Sequence, residues 1–133
     1  MMNTKQKGSV AERELIKLFW DAGWAAFRAA GSGCARYPCP DIIAGNTLRR
    51  MGIECKITAG AYQYFTKKEI HDLKGFCDTF GSEAWVAVKF QGIGWFFMSL
   101  DDLKPSAQGF ALSDTAARNK GFLFEELIEA SPL

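Results

Sequence analysis

Several classes of protein are excluded by what this sequence lacks. It contains no run of about 18 uncharged apolar residues, so no membrane span is predicted. The polar segment 1–8 has no signal-peptide stretch, so we expect a cytoplasmic protein. There is no internal repeat or low-complexity segment, and 48% of the residues are hydrophobic. We therefore predict one globular domain over residues 1–133, with enough apolar material for a single core.

Zinc-binding patterns are also missing. The four cysteines, at positions 34, 39, 55 and 77, form no Cys-x-x-Cys pair, and the single histidine, His71, is far from a finger spacing. Structural zinc is therefore not expected. Cys55 and Cys77 fall on apolar stripes and are predicted to be small core residues. Cys34 and Cys39 flank a loop, where a disulfide and a chance spacing are both open.

The sequence has no large excess of either charge, because its net charge is only +1. This alone gives little support to a nucleic-acid partner. The distribution is uneven, however. Residues 1–74 hold 12 Lys and Arg against 7 Asp and Glu, whereas residues 75–133 hold 4 against 8. A polyanion would therefore approach the first part of the chain. A solvated imbalance without function is the alternative.

The most informative stretch of the sequence begins at Asp41 and ends at Lys56. Apolar and polar residues alternate from 51 to 57, which is the period of a half-buried strand, so Glu54 and Lys56 share one face. Asp41 opens a second apolar run, and a Gly-Asn turn signal separates the two runs. A hairpin here would place the Asp41 carboxylate beside that of Glu54, with Lys56 next to both.

Such a cluster has a definite chemistry. Two neighbouring carboxylates raise each other's pKa unless a cation lies between them. Oxygen ligands with open water positions suit Mg²⁺ or Mn²⁺, and a lysine can then orient a metal-bound water. The alternative is a surface hairpin with a solvated Glu54–Lys56 pair, because two acids and a lysine at loose spacing also occur by chance.

Upstream of this stretch, the sequence predicts a helix that follows Lys7 and Gly8 and ends at Gly23. Ser9 and Glu12 fit a capping box at its start. Glu12 also lies on the edge of the apolar stripe, where a carboxylate needs a partner. That partner is either its own N-terminal cap or a metal shared with the acids of the hairpin.

A loop rich in Gly, Ser and Cys, residues 29–40, follows a strand predicted over residues 24–28. Arg28 and Ser32 resemble phosphate-contact chemistry, a cation followed by free backbone N–H groups. An ordinary glycine-rich connection is the alternative.

The second half of the chain completes an alternating pattern of strands and helices. Thr66 is predicted to cap a helix that ends near Gly81, after a loop over 59–64. The remaining predicted elements are strands 84–90 and 94–98 joined by a hairpin, a loop over 105–109, and a short helix or extension over 120–128. The alternation predicts an α/β fold with a mixed central sheet of about five strands flanked by helices.

The motifs carry a resemblance to known nucleases. The order Pro40-Asp41, spacer, Glu54-x-Lys56 resembles the PD-(D/E)xK nuclease superfamily. Taken together, the motifs over residues 5–100 resemble the archaeal Holliday junction resolvases of the Hjc type. They are Lys7-Gly-x-x-x-Glu12-Arg13-Glu14-Leu15, Arg28-Ala-Ala-Gly-Ser32, Pro40-Asp41, Ile53-Glu54-Cys55-Lys56, Ala87-Val-Lys-Phe90 and Gly94-Trp95.

The resemblance implies a restriction-endonuclease-like core and a role for each matching residue. The implied sets are Glu12, Asp41, Glu54, Lys56 and Ser32 for catalysis; Glu12, Asp41, Glu54 and the carbonyl of Cys55 for Mg²⁺ or Mn²⁺; Lys7, Arg13, Arg28 and Ser32 for DNA; and Tyr64, Phe76 and Phe80 for a two-fold dimer interface.

The implied function is a homodimeric, Mg²⁺-dependent endodeoxyribonuclease that cuts four-way DNA junctions in pairs during recombination and repair. No small-molecule cofactor is expected. Nothing in the sequence resembles a helix that reads the major groove, so recognition of shape and backbone is expected. Two alternatives stay open: a PD-(D/E)xK nuclease that acts on linear duplex DNA, and a non-catalytic junction-binding module.

Overall fold

The computed structural model describes residues 4–29 and 37–130 of the chain. Over these residues the chain forms four α-helices, eight strands and one 3-10 turn. In chain order the elements are α1 (Thr4–Asp21), β1 (Ala25–Arg28), β2 (Ile42–Gly45), β3 (Arg50–Thr58), β4 (Tyr62–Thr66), α2 (Lys67–Phe80), β5 (Glu83–Phe90), β6 (Gly94–Ser99), the 3-10 turn (Leu100–Asp102), β7 (Lys104–Ser106), β8 (Gly109–Ser113), α3 (Asp114–Lys120) and α4 (Phe124–Glu129).

Five of these strands form a mixed sheet in the order β1-β2-β3-β5-β6. The neighbours are antiparallel except β3 and β5, which run parallel because β4 and α2 connect them by a crossover. The other three strands form a second, antiparallel sheet in the order β4-β8-β7. The predicted α/β fold with a mixed central sheet is confirmed. That residues 1–133 form one domain stays a prediction.

Helices cover both faces of the five-stranded sheet. On one face, α1 and α4 bury Leu15, Phe19 and Leu127 in a core that includes Ile42 and Ile53. On the other face, α2 packs in a second core against β5, together with residues of the second sheet. None of the helices in the described part of the chain is long and apolar enough to cross a bilayer.

Helix α2 approaches the sheet very closely at Gly52. A Cβ atom at Gly52 would lie 2.7 Å from the Sγ atom of Cys77, which is a buried core residue as predicted. This contact shows that the side chains of Gly52, Glu54 and Lys56 in β3 are directed to the α2 face, whereas Ile53 is directed to α1.

The turn between β2 and β3 is set by Asn46. Its side-chain oxygen accepts hydrogen bonds from the backbone N–H groups of Leu48 and Arg49, at 2.9 and 2.8 Å. Its backbone N–H donates to the carbonyl of Arg49 at 2.9 Å. This Asx-type turn fixes the register of the hairpin, in which Gly45 pairs with Arg50 and Ile42 with Ile53. The Gly-Asn turn signal is confirmed.

Helix boundaries agree with the sequence for α2 and differ for α1. Thr66 and Glu69 form a reciprocal capping box, and Gly81 ends α2 with a left-handed φ of 84°. The capping box predicted at Ser9 is wrong, because α1 already begins at Thr4 and Ser9 lies inside the helix.

The second sheet was not predicted, because its strands pair across a long stretch of chain. Residues predicted as loops, 59–64 and 105–109, contribute to β4 and to β7 and β8, in which Phe65 pairs with Phe110. Gly109 resembles a loop signal, yet it is a strand residue: a Cβ there would lie 2.0 Å from the carbonyl oxygen of Phe65. The predicted C-terminal helix over 120–128 is two helices, α3 and α4.

A buried arginine holds α4 against the sheet. Arg49 is 6% exposed, and its guanidinium donates to both carboxylate oxygens of Glu83 at 2.8 and 2.7 Å. It also donates to the carbonyls of Leu127 and Ala130, at 2.7 and 3.0 Å, where α4 ends. Loss of the guanidinium would take the positively charged partner from the buried Glu83 carboxylate, to which the N–H of Trp85 would still donate at 2.9 Å.

We therefore expect Arg49→Met to lower the free energy of unfolding by roughly 3–5 kcal/mol. Arg50→Met is the matched control, because Arg50 is exposed and makes only a 3.4 Å hydrogen bond to the carbonyl of Gly81. The control should change stability by roughly 0.5 kcal/mol or less. Urea unfolding of both variants measures the difference, and equal midpoints would contradict a structural role for Arg49.

Candidate active site

Asp41 and Glu54 lie side by side across the β2–β3 hairpin. Ile42 pairs with Ile53, so each acidic residue is one position beyond that pair. A carboxylate oxygen of Asp41 accepts a hydrogen bond from the backbone N–H of Cys55 at 2.9 Å. The predicted hairpin that brings the two acids together is confirmed.

The carboxyl group of Glu54 is strongly perturbed. Burial and the negative charge of Asp41 raise the pKa of Glu54 to about 8. The positive charge of Lys56 opposes the rise, whereas Glu69 and a hydrogen bond with Asp41 add to it. Without a cation at this point, the carboxyl group of Glu54 is therefore harder to ionise than that of a solvated glutamate.

Lys56 is in contact with a carboxylate that the sequence analysis missed. Its ammonium group forms an ion pair with Glu69 at the start of α2. Burial alone would raise the pKa of Glu69, but hydrogen bonds from Lys56 and from the backbone of Thr66 keep it below its usual value. The signal for Glu69 was present, because Thr66-x-x-Glu69 is a capping box that follows Lys56 closely in sequence.

Glu12 belongs to α1, which covers the face of the sheet opposite to α2, and it is paired with Arg28. The guanidinium of Arg28 donates to the Glu12 carboxylate at 2.8 Å and to the hydroxyl of Ser9 at 3.2 Å. The cap that was one alternative for Glu12 is therefore wrong. Arg28, predicted to contact phosphate, occupies the bridge between α1 and the end of β1.

The charges of the three predicted acidic ligands all affect the pKa of the Cys55 thiol. Burial raises the pKa of the Cys55 thiol well above its usual value, and the charges of Asp41, Glu12 and Glu54 raise it further. Among the residues that the structure describes, no three His, Cys, Asp or Glu side chains form a group able to hold a metal ion. Glu12 therefore approaches the Asp41–Glu54 pair without joining it in one ligand group.

The donor atoms nevertheless fit a hard divalent cation. Two carboxyl groups in contact, one with a pKa raised to about 8, provide oxygen donors at a point where excess negative charge is unfavourable. Mg²⁺ and Mn²⁺ bind through few carboxylates and retain several waters. Asp41 and Glu54, with the backbone carbonyl of Cys55, are the donors that these residues offer.

A cavity of about 300 Å³ adjoins this group of side chains. Its wall combines residues of α1, β3, β4 and β6. The lining residues are Gly8, Ala11, Glu12, Cys55, Lys56, Ile57, Gln63 and Trp95. Gln63 was not singled out by the sequence, since it lies in a segment predicted as a loop, and Trp95 appeared only as part of a motif.

The remaining predicted residues lie around this site or outside the described part of the chain. Lys7 is half-buried and Arg13 is exposed on α1. Ser32 and Cys34 fall outside the described residues, and Cys39 is a free thiol. Their predicted roles in DNA binding and catalysis stay predictions.

The predicted dimer residues lie on the α2 side of the molecule. The rings of Phe76 and Phe80 are in contact, with centroids 5.3 Å apart. Phe80 is 47% exposed and Tyr64 is 62% exposed. Exposed aromatic side chains on one helix and the adjacent strand are compatible with the predicted interface, which stays a prediction.

The sheet, the two flanking helical layers and the Asp41–Glu54–Lys56 group define an α/β protein with the PD-(D/E)xK arrangement of side chains. The family model of the archaeal Holliday junction resolvase (Hjc) matches residues 3–132. This chain therefore belongs to the archaeal Holliday junction resolvase (Hjc) family.

Individual relatives agree with this family. A crossover junction endodeoxyribonuclease Hjc of Archaeoglobus fulgidus is 38% identical over 111 residues, which are 84% of this chain and 82% of the relative. That of Sulfolobus acidocaldarius is 30% identical over 129 residues, 96% of this chain and 90% of the relative. The 1.6 Å resolution structure of Archaeoglobus fulgidus Hjc, a Holliday junction resolvase, superposes with a TM-score of 0.84 at 34% identity, and the match covers 90% of this chain and 98% of that one.

Replacing Glu54 should remove a pH-dependent loss of stability. Its folded-state pKa of about 8 lies above the ordinary 4.5, so between these values the folded protein holds a proton that the unfolded chain has released. The free energy of unfolding therefore falls as the pH rises through this range. Without divalent cations, we expect wild type to lose roughly 2–4 kcal/mol more than Glu54→Gln between about pH 5 and pH 8.

Urea unfolding at a series of pH values measures this difference. The matched control is Glu125→Gln, an exposed residue of α4, which should keep the wild-type slope. If Glu54→Gln and wild type lose stability in parallel, the strained carboxyl pair does not exist in solution.

Proposed function

We propose that this protein is a Mg²⁺-dependent crossover junction endodeoxyribonuclease that resolves four-way DNA junctions by paired hydrolysis of phosphodiester bonds. The observation that carries the proposal is the contact of Asp41 with Glu54 beside Lys56, in a chain that belongs to the Hjc family. A non-catalytic binding module would have no need of a buried carboxyl pair that costs folding energy.

The metal would be held by Asp41, Glu54 and the backbone carbonyl of Cys55, with Glu12 as a further ligand. Bound there, Mg²⁺ supplies a water of lowered pKa and stabilises negative charge on the scissile phosphate. For Glu12 to take part, its carboxylate has to exchange its 2.8 Å bond to Arg28 for a ligand position. Arg28 would then be released toward the DNA backbone, the contact that the resemblance implies for it.

Lys56 is the residue proposed to orient the attacking water. Its ammonium group is paired with Glu69, and Glu69 is fixed in turn by the capping box of α2. Glu69 is therefore a positioning residue that holds the Lys56 side chain at the same face of β3 as Glu54. Arg13 and Lys7 on α1, and Ser32, are proposed contacts for the phosphates.

A homodimer would match the substrate, because two identical active sites related by a two-fold axis can cut two strands of a four-way junction. The proposed interface consists of Phe76 and Phe80 of α2 with Tyr64 of β4. Phe80 and Tyr64 present aromatic surface to solvent and Phe76 is half-buried beside Phe80, whereas Ile70, Leu73 and Cys77 of α2 are buried.

Cleavage of a synthetic four-way junction tests the activity. With Mg²⁺, wild type should produce paired nicks, whereas Asp41→Asn should produce none and a chelator should abolish cleavage. Lys56→Ala should cut at least roughly 100-fold more slowly, because a positioned group that acts on the attacking water is lost. Arg50→Met, exposed and outside the cavity, is the control and should cut like wild type.

The same assay separates the alternatives. Linear duplexes with the sequences of the arms should be cut far more slowly than the junction. Equal cleavage of both substrates would favour a PD-(D/E)xK nuclease for linear DNA. A Lys56→Ala protein that nicks as fast as wild type would remove the catalytic assignment.

The interface is tested by Phe80→Asp, because Phe80 is 47% exposed and burying a carboxylate between two copies of α2 is unfavourable. We expect sedimentation velocity to give a dimer for wild type and a monomer for this variant. Leu48→Asp is the control, since Leu48 is 82% exposed on the β2–β3 turn and should leave the dimer intact. A dimer that persists in Phe80→Asp would move the interface elsewhere.

A further inference from the structure

The residues that line the cavity are of two chemical kinds. Glu12, Cys55 and Lys56 belong to the proposed catalytic group. The others provide an indole, a neutral amide and small or aliphatic groups that the proposed mechanism does not use. A substrate that places its scissile phosphate at the catalytic group would also meet these other residues.

The indole of Trp95, which lines the cavity, is held in place by three neighbours. Its N–H donates to the carboxylate of Glu14 at 3.0 Å, and the ammonium of Lys89 lies 6.0 Å from the ring centroid. The ring of Phe97 stacks at a centroid distance of 6.4 Å and an angle of 25°. A ring that is already immobile loses little entropy when it packs against a planar partner.

Gln63 contributes a neutral amide to the same wall. It lies in β4, and its side-chain N–H donates to the backbone carbonyl of Tyr64 at 2.9 Å. An amide donates and accepts at once, which is the pattern that hydrogen-bonds the edge of a nucleobase. Trp95 and Gln63 together therefore offer a surface for stacking and a group for an edge contact.

Gly8 gives an independent indication that the space is kept open. It lies inside α1, where glycine is less favourable than alanine by roughly 1 kcal/mol. A Cβ atom built on Gly8 would meet no atom within 4 Å, so no packing contact requires glycine here. Gly8 lines the cavity, and a larger residue there would narrow it.

We propose that the cavity binds one unstacked nucleoside of the DNA, next to the phosphate that is cut, through Gly8, Ile57, Gln63 and Trp95. This inference rests on the proposed function and adds a nucleotide subsite to it. A volume of about 300 Å³ is at the lower end of small-molecule sites and admits a single nucleoside but not a base pair within a duplex. The branch point of a four-way junction is where stacking between arms is interrupted, so unstacking costs least there.

A fluorescence measurement locates the nucleoside. The junction carries 2-aminopurine in turn at each nucleotide that flanks the cut, and Asp41→Asn protein is used so that the DNA stays intact. One position should change its emission on binding, and the change should be lost in Asp41→Asn combined with Trp95→Leu. The matched control replaces Trp20, a 59% exposed tryptophan near the C-terminal end of α1 whose N–H donates to the backbone carbonyl of Ala26, and should keep the change.

A cycle of protein and DNA changes then measures the contact. Removing the base at that position should raise KM for wild type by roughly tenfold, the usual size of one base–aromatic contact. With Trp95→Leu or Gln63→Ala, removing the base should raise KM by a smaller factor than with wild type, because each variant has already lost part of the contact. Gly8→Ala should raise the melting temperature and raise KM for the intact junction, while leaving KM for the abasic junction nearly unchanged.

The outcomes distinguish this inference from the function on which it rests. If wild type cuts junctions but tolerates an abasic residue at every flanking position, the nucleoside subsite is wrong and the nuclease assignment stands. If Trp95→Leu is as sensitive to base removal as wild type, the subsite is also wrong. If wild type neither binds nor cuts junctions, both are overturned. Gly8→Ala is expected to be more stable than wild type. It therefore still tests the subsite if Trp95→Leu fails to fold.

Discussion

Two carboxyl groups held against each other on one face of a sheet are the unfavourable feature around which the molecule is arranged. Asp41 and Glu54 are brought together by the register of the β2–β3 hairpin, and the Asn46 turn fixes that register. The backbone N–H of Cys55 donates to Asp41 and stabilises one charge, while burial and repulsion raise the pKa of Glu54 to about 8. Such an arrangement persists only where the surrounding fold over-determines it.

The surroundings do so through contacts on both faces of the sheet. On one face, α2 lies so close to β3 that only glycine fits at position 52, and its first turn presents Glu69 to Lys56. On the other face, α1 supplies Glu12, which Arg28 holds beside the end of β1. The Arg49–Glu83 pair attaches α4 to the opposite end of the hairpin. The chemistry is thus positioned by three helices and not by the hairpin alone.

Lys56 and Glu12 share a property that bears on activation. Each is paired with a residue of opposite charge, Glu69 and Arg28, and neither pair is deeply buried. Partly exposed ion pairs are weak and exchange partners readily. A cation and a phosphate arriving at Asp41 and Glu54 would therefore find the lysine and the third carboxylate held close by, with little energy needed to redirect them.

The sequence by itself determined the parts of this protein that depend on local pattern. Strand alternation, the Gly-Asn turn and the Thr66 cap placed the hairpin and α2, and with them the Asp41–Glu54–Lys56 group, because side-chain periodicity follows directly from backbone geometry. Composition and motif order were sufficient to assign the fold class and the family. These features involve residues that are near one another in the chain.

Only the tertiary structure decided the features that depend on distant partners. The pairing of β4 with β8 turned two predicted loops into a sheet, and Arg28 took Glu12 and Ser9 away from a helix cap. Gln63 and Trp95 line the same cavity as Glu12 and Lys56 because separate strands carry them there. Local propensity is a weak preference, and long-range pairing and burial override it, so no pattern within a short window could have revealed these contacts.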